Sequence, residues 1–360
     1  MSRHAERLDR FRHLVRQEKL DAFLVADTAN VTYLSGFRGD SSYLLVGRKR
    51  AWLITDGRYT EQAAAEAPDC EVVRHTVSLV KSAASLATSA RVKSLGFEPN
   101  VLTVATHGDL AKELKRAKTV PTKGLVEKLR QVKDQAELAA IRGAAALADA
   151  SFQAVRSRLA AGRTEADVAL DLEQEMRRRG AQRSSFEAIV AARRRSSLPH
   201  AQPTRAVIRA GNAVLIDWGA QRNLYCSDCT RVLFLGPPSA RWRKVYEVVR
   251  AAQEMAIAAI RPGVPCREVD AAARKHIEAA GYGDAFKHGL GHGVGLRVHE
   301  SPSLSARSED TLAEGMVVTV EPGIYLDGWG GVRIEDLVHV RRDGAELLSS
   351  LPKSLEAAIL

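Results

Sequence analysis

The chain has 360 residues, 45% of them hydrophobic and 27% charged, an ordinary composition for a globular protein and too much chain for one average core. No run of about 18 apolar residues occurs, which excludes a helical membrane span, and four cysteines (Cys70, Cys226, Cys229, Cys266) are too few and too scattered for a disulfide framework. The net charge of +10 and pI near 9.6 raise nucleic-acid binding, but the arginines are largely dispersed and aromatics, at 5%, show no stacking pattern, so no nucleic-acid partner is expected.

Residues 1–123 read as a small α/β domain. The first twenty residues mix charged and apolar positions as an amphipathic helix does and have no apolar core of the signal-peptide kind, so a cytoplasmic location is expected. The apolar run Ala22–Ala26 follows as a strand, and Ser42–Val46 and Ala51–Thr55 flank Gly47–Arg50 as a hairpin. A helix is predicted after Asp56–Tyr59. Proline, glycine and charge coincide in Lys118–Gly124, and the boundary to a second domain, 124–360, is placed there.

The second region opens on a predicted helix over roughly 134–159, with apolar residues at three- and four-residue spacing (Leu138, Ile141, Ala145, Phe152, Val155, Leu159). Another helix is predicted from Thr164, where Thr164 and Asp167 make a capping-box-like start. The segment 159–180 then lines up with 260–281, a period of 101 residues, each copy having a glycine, a turn, an acidic helix start and a closing glycine (Gly162 and Gly180; Gly263 and Gly281). Two similar halves about a pseudo-twofold axis are the expectation. Each half ends in two apolar β-type runs: 214–218 and 225–235 in the first, 317–321 and 331–338 in the second. Cys226 and Cys229 form a C-x-x-C with no second pair at zinc-site spacing, in a predicted strand where positions three apart face opposite ways. Neither a zinc nor a redox role is expected of them.

Every one of those four runs holds a carboxylate flanked by apolar residues: Asp217, Asp228, Glu321 and Glu335. An acid in a buried strand is costly unless paired or coordinated, and four together repel unless cations neutralise them. Within the second half, between 260–281 and its β-type runs, lies HGLGHGVGLRVHE, 288–300, with His288, His292 and His299 among four glycines that let backbone approach a bound group closely. A dinucleotide loop would need a buried strand before it, and Asp284–Lys287 is a poor one. Two divalent metal ions, with His292 as a nitrogen ligand, satisfy the requirement and would activate a shared water.

This set resembles the pita-bread metallopeptidases: methionine aminopeptidase, aminopeptidase P, prolidase and their metal-free relative creatinase. The resemblance implies an α+β pita-bread catalytic domain behind a smaller creatinase-like α/β domain. It carries the ligands onto Asp217, Asp228, His292, Glu321 (in VEPGIY) and Glu335 (in VRIED), and substrate-side roles onto His200 (in LPHAQP), His288, His299 and Arg333. NVTYLSGFRGDSSYLLV (30–46) and TDGRY (55–59) look like the N-terminal domain of the aminopeptidase P and prolidase branch. The implied activity is hydrolysis of the N-terminal peptide bond of Xaa-Pro dipeptides or Xaa-Pro-containing peptides by a metal-activated water, with His200, His299, Glu321 and Arg333 as catalytic residues. The implied partners are a short peptide substrate and a second copy of the chain in a homodimer, with no membrane and no nucleic acid. Carboxylate-rich ligation with one histidine suits Mn²⁺, with Co²⁺, Zn²⁺ or Fe²⁺ as other candidates. A broader-specificity aminopeptidase of the same mechanism is the alternative, and a non-catalytic pita-bread binding protein is a further one.

One departure from the family stands out. Where a small, glycine-containing turn is common, this chain reads Ala192-Arg193-Arg194-Arg195, close to the LPH segment. Arginines at the mouth of a site would attract acidic substrates through bidentate carboxylate binding, while a solvated loop is the plainer reading.

Overall fold

The structure is a computed structural model and describes residues 2–360. The chain divides into two compact units, Met1–Arg130 and Gln131–Leu360.

The first unit is built on a six-stranded sheet. Its central strand, Ala22–Val25, pairs antiparallel with Ser42–Gly47 and parallel with Ser94–Phe97. The predicted hairpin forms as expected, Ser42–Gly47 against Ala51–Thr55, closed by Gly47 N–H donating to the Arg50 carbonyl at 2.9 Å. Glu71–Arg74 and Lys118–Pro121 complete the two edges in parallel. The amphipathic N-terminal helix is Arg3–Gln17, with Leu8, Phe11 and Val15 buried. The division falls beyond Lys118–Gly124, at Arg130, because the short helix Leu125–Gln131 is tied into this unit: Arg130 Nη1 donates to Asn30 Oδ1 at 2.6 Å, and Tyr33 O–H to the Leu129 carbonyl at 3.1 Å.

The second unit repeats itself. Helices Gln135–Arg156 and Glu165–Arg178 pack on the antiparallel strands Ile189–Ala192, Ala213–Trp218 and Cys229–Phe234. Helices Ala240–Ala259 and Cys266–Ala279 cover the five-stranded sheet that contains Val317–Val320 and Asp336–Arg341. The helices Glu165–Arg178 and Cys266–Ala279 are each 14 residues long and start 101 residues apart. Their flanking glycines match in backbone too: Gly162, Gly180, Gly263 and Gly281 all have φ between +85° and +98°, the left-handed region that ends a helix at little cost only for glycine. The Thr164 start is a full capping box, Asp167 N–H donating to Thr164 Oγ1 at 3.1 Å and Thr164 N–H to Asp167 Oδ2 at 3.0 Å. In the first half, Phe152 stacks on Trp218 at 4.1 Å between centroids, and Trp218 Nε1 donates to the Ala148 carbonyl at 3.0 Å. An aromatic pair of this kind adds about 0.5–1.5 kcal/mol to its burial. Here it fixes the strand that carries Asp217.

Two of the predicted β runs are broken rather than continuous. The run 225–235 splits into Tyr225–Cys226 and Cys229–Phe234, because the Ser227 N–H turns to the Ala220 carbonyl and its own carbonyl lies against Gly219, where no side chain would fit. The run 331–338 splits because Arg333 pairs with Gly323 while Asp336 pairs with Val320, in different sheets. Asp228 and Glu335 sit at those breaks, so both leave the ladder and point into a shared space. No helix among the described residues is long and apolar enough to cross a membrane. Cys226 and Cys229 are buried, unpaired thiols lying near the Leu296 and Glu335 carbonyls respectively.

Candidate metal centre

Strand pairing brings the acids together. Asp217, the last residue but one of its strand, stands opposite Thr230, two residues beyond Asp228. Glu321 follows Val317–Val320, whose last residue pairs with Asp336, the neighbour of Glu335. Glu335 N–H donates across the halves to the Thr230 carbonyl at 3.2 Å. His292 lies at a register shift in the three-residue strand Gly291–Gly293. The glycines on either side of it are required by packing: a Cβ on Gly291 would collide with the Thr319 carbonyl and one on Gly293 with Ser301.

All five predicted ligands converge. Oxygens of Asp228 and Glu335 and a ring nitrogen of His292 lie within 4.8 Å of one another. His292 Nε2 is 3.2 Å from Glu321 Oε1 and 3.7 Å from Asp228 Oδ2. Asp217 Oδ2 accepts from Arg333 Nη2 at 2.6 Å. The His292 Nδ1 faces the Gly293 carbonyl at 3.1 Å, which places the proton on Nδ1 and turns the Nε2 lone pair toward the acids when the ring is neutral.

This is a costly place for four carboxyls. Asp217, Asp228 and Glu335 are 8%, 6% and 1% exposed. Burial, then the charges of Glu335 and Asp217, pushes the Asp228 carboxyl well above the usual range. Burial, then the charges of Glu321 and Asp217, does the same to Glu335. Burial also raises Asp217, opposed by the Arg333 guanidinium. Glu321 goes the other way: although burial works against its charge, the hydrogen bond and charge of His292 bring it down to about 2.

The donor set fits divalent cations. Among the described residues, Asp217 Oδ1 and Glu335 Oε1 are buried carboxylate oxygens with no hydrogen-bond partner, an arrangement that costs about 1–3 kcal/mol or more per group unless something cationic faces it. Carboxylate oxygens with one imidazole suit hard to borderline ions.

The four other predicted residues surround the same cleft, a cavity of about 570 Å³ whose walls include His200, His288, His299 and Arg333. His200 and His299 are exposed, and the His299 ring meets that of His292 edge to face at 4.4 Å. Arg333 is buried and donates to Asp217, to the Tyr325 hydroxyl at 2.8 Å, to Thr230 Oγ1 at 3.0 Å and to the Pro199 carbonyl at 3.2 Å.

Three functional partners escape sequence reasoning. Tyr325 O–H joins Arg333 to His288, whose Nε2 lies 2.8 Å away. Thr230 Oγ1 donates to Glu335 Oε2 at 2.7 Å. Thr319 Oγ1 accepts from His292 N–H and donates to Glu321 Oε1, both at 3.0 Å. Spacing gives the available signal, since Thr230 and Thr319 each stand two residues from an acid and would share its face in an unbroken strand.

The arginine triplet does not reach the cleft. Arg195 turns away to the fully buried Glu165, Nε to Oε2 at 3.0 Å, and to the Gln202 carbonyl at 2.7 Å. Arg193 and Arg194 are exposed, and none of the three lines the cavity.

Along nearly its whole length the chain is similar to known proteins. Residues 139–342 match metallopeptidase family M24, and residues 7–132 match the creatinase/prolidase N-terminal domain. An uncharacterized peptidase of Bacillus subtilis is 42% identical over 97% of this chain and 99% of its own length. A Xaa-Pro dipeptidase of Pyrococcus furiosus is 34% identical over 97% and 99%. The solved structure of a Xaa-Pro dipeptidase from Bacillus anthracis superposes with a TM-score of 0.96 at 39% identity, over 99% of this chain and 100% of that one. Two family matches that together span most of the chain, and a fold shared along nearly its whole length, make this chain a metal-dependent peptidase of family M24 with a creatinase/prolidase-type N-terminal domain.

Proposed function

We propose that the protein hydrolyses the bond between the first residue and proline in Xaa-Pro dipeptides, and in short peptides that begin this way. The convergence of Asp217, Asp228, His292, Glu321 and Glu335 on one space carries the reading. Its proline component rests on the relatives named Xaa-Pro dipeptidase, whose length this chain covers almost completely. Those five side chains would hold two divalent ions, Mn²⁺ first among the candidates. When bound, the ions would supply Lewis acidity for the scissile carbonyl and lower the pKa of water.

The chain's own groups do the rest. Glu321 Oε1, ionised and held by Thr319, takes the proton of the attacking water and delivers it to the leaving nitrogen. His299 stands in the cleft wall, where it can hydrogen-bond the carbonyl oxygen as charge develops there. Arg333, fixed by four partners, keeps Asp217 oriented, and Tyr325 extends that support to His288. His200, an exposed residue of the cavity lining, can orient the bound peptide. A proline nitrogen has no N–H to offer, so a site that asks for none accepts it.

Comparing cleavage of Ala-Pro, Ala-Pro-Ala and Ala-Ala after addition of Mn²⁺ or Co²⁺ tests the reading. Faster hydrolysis of the proline substrates supports it, and equal rates on Ala-Ala would discard the proline preference. A homodimer belongs to the same proposal and is checked by light scattering. So does a cytoplasmic location, which the four unpaired cysteines support.

A further inference from the structure

The arginines beside LPH would draw acidic substrates if they faced the cleft, and they do not. The charge that does face it has the opposite sign. Glu187 lines the cavity, is exposed, and among the described residues has no hydrogen bond or ion pair. The other acids of the lining, Asp217, Asp228, Glu321 and Glu335, form the floor, and Arg333 is consumed there by Asp217. Glu187 is therefore the one carboxylate of the wall that is free to meet a substrate side chain.

Its distance from the chemistry is set by the chain. Ile189 pairs with Asp217 in the sheet, and Glu187 precedes Ile189 by two residues, at most about 7 Å along an extended backbone. Phe186 and Ile189 give the same wall an apolar surface, and Ser303 and Ser305 line the cavity without adding charge. An alkyl stem with a terminal cation matches such a surface, since lysine and arginine bury their methylenes and keep the charged head at the rim. In an Xaa-Pro dipeptide the ammonium, the carboxylate and the uncharged proline ring are common to every substrate, so only Xaa can differ in charge.

We propose that Glu187 makes this enzyme prefer substrates whose first residue is lysine or arginine over those whose first residue is acidic. The proposal rests on the peptidase reading of the cleft and deepens it to a substrate class. One exposed ion pair is worth roughly two- to fivefold, and the effect weakens as salt rises.

The test measures kcat/KM of the metal-loaded enzyme for Arg-Pro, Ala-Pro and Glu-Pro, in wild type, Glu187→Gln and Glu187→Arg. The expected result is an Arg-Pro to Glu-Pro ratio that falls by roughly two- to fivefold in Glu187→Gln, inverts in Glu187→Arg, and shrinks in wild type with added salt. A ratio unchanged by both substitutions overturns the proposal. So does an equal loss on all three substrates, which would place Glu187 against the common ammonium instead. If no Xaa-Pro peptide is cleaved, the proline reading alone fails. The same ratios are then read on Arg-Ala, Ala-Ala and Glu-Ala, where an unchanged ratio overturns the Glu187 assignment.

Discussion

Thr230 holds Glu335 by its side chain and by its backbone at once: Oγ1 donates to Oε2 at 2.7 Å, and the Thr230 carbonyl accepts from the Glu335 N–H at 3.2 Å. The two residues come from different halves of the catalytic unit, so this pair is where the halves register against each other. Thr230 Oγ1 also accepts from Arg333 Nε at 3.0 Å, which fixes the direction of its proton. Thr230→Val keeps the shape and removes only the hydroxyl. Metal affinity is expected to fall about 10- to 100-fold, while the metal-free protein loses about 1–3 kcal/mol. Isothermal titration with Mn²⁺ reads the first and urea unfolding the second. Wild-type affinity in this variant would remove Thr230 from the site's support.

Asp228 pits function against stability. Its carboxyl is 6% exposed and faces the charges of Glu335 and Asp217. Asp228→Asn removes one member of that repelling group at nearly constant volume. Turnover should be abolished and bound metal reduced, yet the metal-free protein should melt higher than wild type. Glu335→Gln should behave alike, since Glu335 is under the same strain. Metal content by mass spectrometry and Tm in chelator check both, and full turnover in either variant would sink the ligand assignment.

Metal loading should release protons. Burial first, and neighbouring acids second, raise Asp228 and Glu335 well above the ordinary carboxyl range, so without a cation they keep protons that a free carboxyl has lost. Cations bind the ionised forms, so binding expels those protons. The release should be largest below the raised values and vanish as pH passes above them. The sign for stability follows from the same direction. A folded-state carboxyl raised above its unfolded value favours folding most at low pH, and that contribution is lost as pH rises through the folded-state value. Titration in two buffers of different ionisation enthalpy measures the proton count. A count of zero across the acidic and neutral range would contradict the raised values.

Much of the site is legible in the sequence because an acid inside an apolar run violates a strong rule, and Asp217, Asp228, Glu321 and Glu335 each do so. Glycine is equally readable where it does a steric job, as beside His292, and where its φ is positive, as at the four repeated helix boundaries. Thr230, Thr319 and Tyr325 carry no such mark. A threonine in a strand and a tyrosine after VEPGI are unremarkable until the fold brings Arg333 and His288 to them. The strand breaks at Asp228 and Glu335 are equally silent, since they depend on which sheet each half-run joins. Proximity along the chain misleads at Arg193–Arg195, because the helical turn after Ala192 carries those side chains off the cleft wall.

Arg195 has a different task, and it can be separated from substrate binding. Glu165 is fully buried and accepts from Ala192 N–H at 2.8 Å, from Thr204 N–H at 3.0 Å and Oγ1 at 2.7 Å, and from Arg195 Nε at 3.0 Å. That one carboxylate thus joins the start of the Glu165–Arg178 helix to the segments on either side of His200. Arg195→Ala leaves three donors in place, so the expected loss is about 1–3 kcal/mol rather than the larger penalty of an abandoned buried charge. Arg193→Ala and Arg194→Ala, both at exposed positions, should stay within about 0.5 kcal/mol of wild type. None of the three should alter the ratio of Arg-Pro to Glu-Pro cleavage. Urea unfolding and the dipeptide assay together decide the point, since a changed charge preference in any of them would return the triplet to the mouth of the site.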